Sequence, residues 1–488
     1  MTEPVPNPKS SETYSVRWVA MSVGLLALVV FLPTVRYDFV NWDDPWYVIN
    51  NELIDGWSLQ NLHGIATESV ARNYAPLTIF SFLIDRSFWG LNPTGFHLTN
   101  VLLHTINAVL VFYLVRQLTG RWRLAWAVAA VFAVHPLQIE TVAWISSRKG
   151  LLSGAFILAS LLCWLRPDRT GKHEAWGIVF LALALFAKAL AVVVPAIVLS
   201  YDLFVRRQKF ADAFPRQIIP GCLSLWLLGV TMGAQTTIVG GTRAHFSLSR
   251  FELLAVDTTI LWKYVGMLAW PTDLCVLYAP STQNIFVPAI LATAGWIVVA
   301  TWTWRNRERH PSILFAFLSW ILLLVPVMNL FPLTTLMNDR YLYLPCIPML
   351  TVAFAGVRVG WGKLISKISS EDSMRVATRV TGAVAVGCVI AACMLATQQR
   401  LPVWRNGYAL WSDAIAKTPS LTVVRIQWAN TLQAVGETEQ ACEVLRGALV
   451  ETAPDEINTR RIHEKLEAWS QDDTNSQVTL RTSTPPRG

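Results

Sequence analysis

The sequence predicts an all-α polytopic membrane protein, and three observations lead there. Of the 488 residues, 53% are hydrophobic and only 15% charged, where soluble domains carry about 25% charge. Mean hydropathy is +0.41. The apolar residues gather into long runs separated by short basic groups, as membrane helices and their loops require. The net charge of +8 is scattered, with no long basic tail, which argues against nucleic acid as a partner. Seven cysteines form no CxxC pair and read as inert buried thiols.

Candidate spans lie near 16–34, 97–118, 123–142, 150–165, 174–187, 188–204, 217–236, 286–304, 312–330, 341–360 and 376–397. The first lacks a small-residue cleavage site and is expected to be a retained helix. Several are shorter than about 20 residues and need tilting, joining or re-entry. Lys188 and Pro195 interrupt one region, and 256–271 is either a further span or an interfacial helix. Charge arbitrates between these readings. About eleven crossings, with 256–271 not crossing, place Arg116/Arg121/Arg123, Arg166/Arg169/Lys172, Arg206/Arg207/Lys209/Arg216, Arg305/Arg307/Arg309 and Lys363/Lys367/Arg375/Arg379 on one side. The positive-inside rule makes that side cytoplasmic. The N-terminus is then cytoplasmic, and the acidic first loop 35–96 and the C-terminus lie outside. An enzyme working there has no assured ATP or nucleotide sugar, so a lipid-linked activated group is the natural donor.

The first loop carries the most informative motif, Asn41-Trp42-Asp43-Asp44-Pro45, set among aromatics. Two carboxylates at the foot of a membrane helix are costly unless they share a proton, bind a cation or do chemistry. Asp43 and Asp44 are therefore the catalytic candidates: one accepts a hydroxyl proton, while the other orients substrate or binds a divalent cation such as Mg2+ or Mn2+. A solvated acidic turn is the plainer alternative. His97, Asn100, His104 and Asn107 form a polar stripe on one helical face. His97 lies nearest the candidate site, whereas His104 and Asn107 read better as a packed polar seam.

His135 and Glu140 end one span, and Arg148 and Lys149 open the next. Glu140 is close enough in sequence to pair with Arg148. Arg148 and Lys149 are candidate ligands for a lipid phosphate, with interfacial anchoring as the competing explanation. Asp339 and Arg340 precede a late apolar helix whose amide end favours negative charge. Arg340 is thus another phosphate candidate, supported by Tyr341 and Tyr343. Arg243, His245 and Arg250 give a weaker basic signal. Lys188 within an apolar region is unexpected.

After 397 the membrane pattern ends. Gly436, Ala441, Leu445, Ala448 and Pro454 read as part of a tetratricopeptide unit, and a 34-residue shift pairs Trp411 with Leu445 and Ala414 with Ala448. The expected organisation is a membrane domain over 1–397, a tetratricopeptide-like helical domain over 398–469 that docks on that domain or on a protein partner, and a flexible tail over 470–488.

Asn41 to Asp44, Tyr74 to Leu77, Trp89 to Pro93, Phe96 to Asn100, His135-Pro136 with Glu140, and Asp339 to Pro345, followed by the trailing repeat, together resemble the tetratricopeptide-containing transmembrane O-mannosyltransferases. That family lies within the polyprenyl-phosphate-dependent glycosyltransferases of GT-C fold. The resemblance implies a GT-C-like bundle that transfers a sugar, mannose among the candidates, from a polyisoprenyl phosphate to an external hydroxyl such as that of protein Ser or Thr. It implies the catalytic role for Asp43/Asp44 and phosphate holding by Arg340. His135, Glu140 and Arg148 fall on motif positions without assigned roles. The chain departs from the family at Gln138, Gly150 and Asp339, and it carries far fewer repeats than the eukaryotic relatives. The expected setting is a bacterial inner membrane with a periplasmic C-terminal domain. A transporter and an inactive assembly scaffold are the competing classes.

Overall fold

The computed structural model describes residues 8–71, 73–237, 248–329, 335–366, 372–452 and 454–482. Its regular elements are helices; the described residues contain no strand beyond an isolated bridge between Val70 and Asn73. The helix Pro93–Thr119 shows how local sequence sets these limits. Asn92 caps its start by accepting from Thr94 N–H at 3.1 Å, Pro93 occupies the first turn, and Gly120 ends it at φ 66°. Between those limits the chain is apolar enough to cross a bilayer.

Six helical stretches among the described residues meet that standard: Val16–Arg36, Pro93–Thr119, Ile145–Trp164, Phe210–Gly233, Phe286–Arg305 and Val380–Trp404. A seventh is counted if Trp122–Val134 and Pro136–Ala143 form one span bent by 55°. The protein is therefore a multi-pass, all-α membrane protein, but the eleven full-length crossings expected from the sequence are not resolved. The shortfall comes from broken runs. Pro136 bends one. Lys188 adopts an extended conformation at φ −163° and ψ 130°, dividing Gly171–Ala187 from Ala189–Val193. Ala189–Phe204, Pro311–Val327 and Cys346–Trp361 are apolar but short. The helix Arg250–Ala269 lies outside the apolar spanning set.

The first loop is a folded unit. Its helices Leu59–Thr67 and Pro76–Trp89 enclose a core of Tyr47, Val48, Ile54, Ile65, Ile79, Phe82 and Leu83 with Phe96 and Ile145. Pro45–Ile49 forms a single wide π-helical turn directly after the two aspartates. Such turns redirect backbone locally and recur at functional sites.

The C-terminal helices Gly407–Lys417, Thr422–Ala434, Thr438–Glu451 and Glu456–Thr482 do not make a clear tetratricopeptide domain. Their apolar residues divide between two cores. Leu410, Trp411, Ala414 and Val424 belong to the main membrane-domain core, whereas Ile426, Ala429, Leu445 and Ala448 form a smaller cluster. The first helix has been taken into the larger body, so the repeat loses its independent groove. The last of these helices runs to Thr482.

Candidate functional site

The site is assembled at breaks in helices, where side chains leave the bundle. Asp43 and Asp44 occupy different settings despite being adjacent. Asp44 is 1% exposed. One of its oxygens accepts from Val40 N–H at 3.0 Å; the other accepts from Ser146 N–H at 3.0 Å and from the Ser146 hydroxyl. Burial outweighs these donors and pushes its carboxyl up to about 6. Asp44 thereby ties the first loop to the start of the Arg148–Trp164 helix.

Asp43 faces outward beside Lys149, with Oδ2 3.7 Å from Nζ and 21% of its side chain exposed. Lys149 donates to the Tyr47 hydroxyl at 3.1 Å and lies 4.5 Å from that ring's centre. Arg340 lies within electrostatic range of both Asp43 and Lys149. The first loop, the second basic motif and the late loop thus converge.

Arg340 is held from the other side by Glu140. Its backbone N–H donates to Glu140 Oε2 at 2.8 Å, and its guanidinium pairs with Oε1. The guanidinium lies 5.2 Å from the Trp144 ring centre and 5.3 Å from that of Tyr341. It keeps 14% exposure, so the pair orients the group without sealing it. Asp339 points away and accepts from the Tyr278 hydroxyl. Burial, then the charge of Glu140, pushes its carboxyl well above the usual range.

Arg148 lies elsewhere. It is fully buried and forms a 2.6 Å ion pair with Asp85. It also donates to Asn100 Oδ1 at 2.9 Å, Phe96 O at 2.8 Å and Ser81 O at 3.3 Å, and lies 4.4 Å from the Phe82 ring centre. The expected Glu140–Arg148 pairing is replaced by Glu140–Arg340 and Asp85–Arg148. Consecutive helical residues diverge by about 100°, so Arg148 and Lys149 cannot serve the same face.

The other candidates are distributed around this centre. His97 is buried against the Tyr37–Asp38 backbone, without a hydrogen bond of good geometry. His135 accepts from Leu137 N–H at 3.2 Å and reaches Leu268 O at 3.1 Å, which fixes the bent span. Tyr343 lies in the polar seam, with its hydroxyl 2.9 Å from His104 and 2.9 Å from Asn107. Tyr341 contacts the Thr335 hydroxyl at 3.1 Å. Arg243 and His245 lie outside the described residues.

Asp43 and Asp44 do not fit a divalent-cation site. Both Asp44 oxygens already accept hydrogen bonds, and Asp43 faces cations. Among the described residues no group of three or more His, Cys, Asp or Glu converges for a metal. A cavity of about 600 Å³ lined by Tyr113, Arg116, Arg166 and His173 lies at the far ends of the same helices, apart from this centre.

Sequence reasoning singled out Lys188 without a role and read Trp411 only as a repeat position. Lys188 lies within electrostatic range of Lys149, Arg340 and Glu140. Trp411 donates to Asn41 Oδ1 at 2.7 Å, while Asn41 donates to Thr431 at 3.1 Å. The C-terminal helices therefore hold the residue two places before Asp43. The aromatic spacing of Trp42 and Trp411 carries no local signal of this pairing, whose ring centres lie 5.2 Å apart.

No family model matches the chain. It is 29% identical over 304 residues to protein O-mannosyl-transferase TMTC2 of Mus musculus, covering 56% of this chain and 36% of that protein. The Homo sapiens TMTC2 is 32% identical over 305 residues, again covering 56% and 36%. Protein O-mannosyl-transferase F38B6.6 of Caenorhabditis elegans is 22% identical over 455 residues, covering 85% and 60%. The chain thus spans about a third of the TMTC2 proteins' length and 60% of the nematode relative's. Among solved structures, apo ArnT from Cupriavidus metallidurans gives a TM-score of 0.42 at 13% identity, covering 86% of this chain and 81% of that one. That superposition is too loose to transfer residue roles. This chain is a multi-pass membrane protein related in sequence to the transmembrane protein O-mannosyl-transferases.

Proposed function

We propose that this protein is a GT-C-like membrane glycosyltransferase that moves a sugar from a polyisoprenyl phosphate to an acceptor hydroxyl. The carrying observation is the convergence of partly exposed Asp43 with Lys149 and Arg340 beside the membrane spans. An acid beside cations can separate the two demands of the reaction. Asp43 accepts the proton of the attacking hydroxyl, while Arg340 and Lys149 face the departing phosphate. The acceptor oxygen bonds to the anomeric carbon as the bond from that carbon to phosphate oxygen breaks, leaving the electron pair on phosphate. One displacement inverts the anomeric centre.

Asp44 and Arg148 act as positioning residues in this scheme, because their polar atoms are already committed within the protein. The candidate metal has no step. The site opens on the non-cytoplasmic face of a bacterial inner membrane, with the C-terminal helices on the periplasmic side, as the distribution of basic loops supports. Protein hydroxyls and mannose are the acceptor and sugar suggested by the names of the similar proteins. The C-terminal helices, docked through Asn41 and Trp411, are suited to present an acceptor partner.

Product mass spectrometry tests this reading with wild-type protein in nanodiscs, polyisoprenyl-phosphate sugars and hydroxyl acceptors. A glycosylated acceptor that disappears in Asp43→Asn is expected. Undiminished transfer in Asp43→Asn excludes it as the base.

A further inference from the structure

We infer that the helix Gly407–Lys417 is a rigid spacer that sets Asp43 relative to Arg340, with Trp411 and Lys417 as its positioning residues. This assignment rests on the transferase reading above and makes the C-terminal region part of the reacting geometry. The first half of the helix holds the first loop. Trp411 is fully buried and donates to Asn41 Oδ1 at 2.7 Å, and just before the helix Arg405 O accepts from Asp38 N–H at 2.8 Å. Gly407 permits this approach, since a Cβ there would lie 2.5 Å from Asn41 Oδ1. The last residue of the helix holds the late loop. Residues 274–278 are buried without regular structure, so their backbone groups need partners from elsewhere. Lys417 Nζ donates to Leu274 O at 2.9 Å and pairs with Asp413 at 2.9 Å, which in turn pairs with Arg400 at 2.6 Å. Cys275 N–H donates to the Tyr278 hydroxyl at 3.0 Å, and that hydroxyl donates to Asp339, the residue before Arg340.

Trp411 and Lys417 lie about 9 Å apart along the helix axis, and a helix does not stretch over that length. The displacement needs Asp43 on the acceptor hydroxyl while Arg340 meets the phosphate, and a misplacement of about 1 Å in such an alignment can cost ~100-fold. Loosening either contact leaves the local holds intact: Arg340 keeps Glu140 and Trp144, and Lys149 keeps Tyr47. Donor binding therefore survives, and only the register between the acid and the guanidinium is lost. The helix acts on that register without touching substrate, so its loss lowers kcat with every acceptor, whatever its size.

Two variants of the full chain in nanodiscs test the spacer by hydrogen exchange and by kinetics with lipid-phosphate sugar. Gly407→Ala crowds Asn41 while keeping every hydrogen-bonding group, and Lys417→Met removes the ammonium donor. Exchange should rise at both 38–44 and 274–278 in each variant, although each change touches only one of these segments. With a small hydroxyl acceptor and with a protein acceptor alike, kcat should fall at least ~10-fold and donor KM should stay within ~3-fold. Lys417→Arg should recover kcat. Exchange that rises only at the touched segment, unchanged kcat, or a loss confined to the protein acceptor overturns the assignment. If wild-type protein forms no product while exchange rises at both segments, the transferase reading fails and the mechanical link stands.

Discussion

Asp85–Arg148 and Asp43–Lys149 are acid–base pairs whose cations are consecutive residues of one helix, yet their surroundings differ in almost every respect. The first pair is 2.6 Å long, with side-chain exposures of 8% and 0%, and its guanidinium is surrounded by three further acceptors and two aromatic rings. The second is 3.7 Å long, with exposures of 21% and 11%, and has Arg340 nearby. A buried pair with its donors satisfied fixes structure, and removing one partner strands the other charge. A loose pair at a surface can exchange its partner for a ligand. Equal charge types therefore lead to different work, decided by what else reaches each atom.

The strongest way to break this comparison is to remove each acid separately. Asp43→Asn should lower sugar transfer by at least ~100-fold, leaving thermal unfolding of the detergent-solubilised protein near wild type. Asp85→Asn should cost about 3–5 kcal/mol, seen as poor yield and a lowered unfolding midpoint. Similar midpoints for the two variants would erase the distinction.

Arg340 offers a test between the extremes, since it has both a buried partner and an exposed edge. Arg340→Gln strands Glu140 and should reduce stability by about 2–4 kcal/mol as well as activity. Adding Glu140→Gln should recover most stability without activity. Recovery of transfer in the double variant would mean that the guanidinium only silences Glu140.

Asp44 sharpens the comparison through pH. Its carboxyl is raised to about 6, so the folded protein holds that proton more tightly than the unfolded chain, whose value is near ~4. Its contribution to stability therefore declines as pH rises from about 4 to 6 and is flat above. Asp44→Asn should remove that slope, while leaving an amide donor unsatisfied at a cost of about 1–2 kcal/mol. Urea-denaturation midpoints measured across this range check both effects.

The smallest expected effect is at the docking contact. Asn41→Ala removes hydrogen bonds to Trp411 and Thr431 and should cost about 1–2 kcal/mol. Increased hydrogen exchange across Gly407–Lys417 would register the loosened helix; unchanged exchange would show that ring and apolar contacts suffice.

Much of this organisation is legible in order along the chain. Apolar runs announce the membrane class, Lys188 marks an interruption that the structure places between Gly171–Ala187 and Ala189–Val193, and the polar seam of His104 and Asn107 is readable from helical spacing. Its third member, Tyr343, lies 236 residues beyond Asn107. Glu140 lies eight positions from Arg148 in sequence, which favours pairing between them. Its partner is 200 residues away, and no local pattern encodes that choice.

The sequence by itself determined the solvent of this protein and the stock of reactive groups. Transfer energies add residue by residue along a run, so composition alone commits these helices to lipid. Tertiary structure decided which carboxylate became a staple and which kept an open face, and it gave neighbouring cations on different faces of one helix separate partners. Those assignments depend on burial and on distances across the fold, quantities that exist only once remote segments have packed.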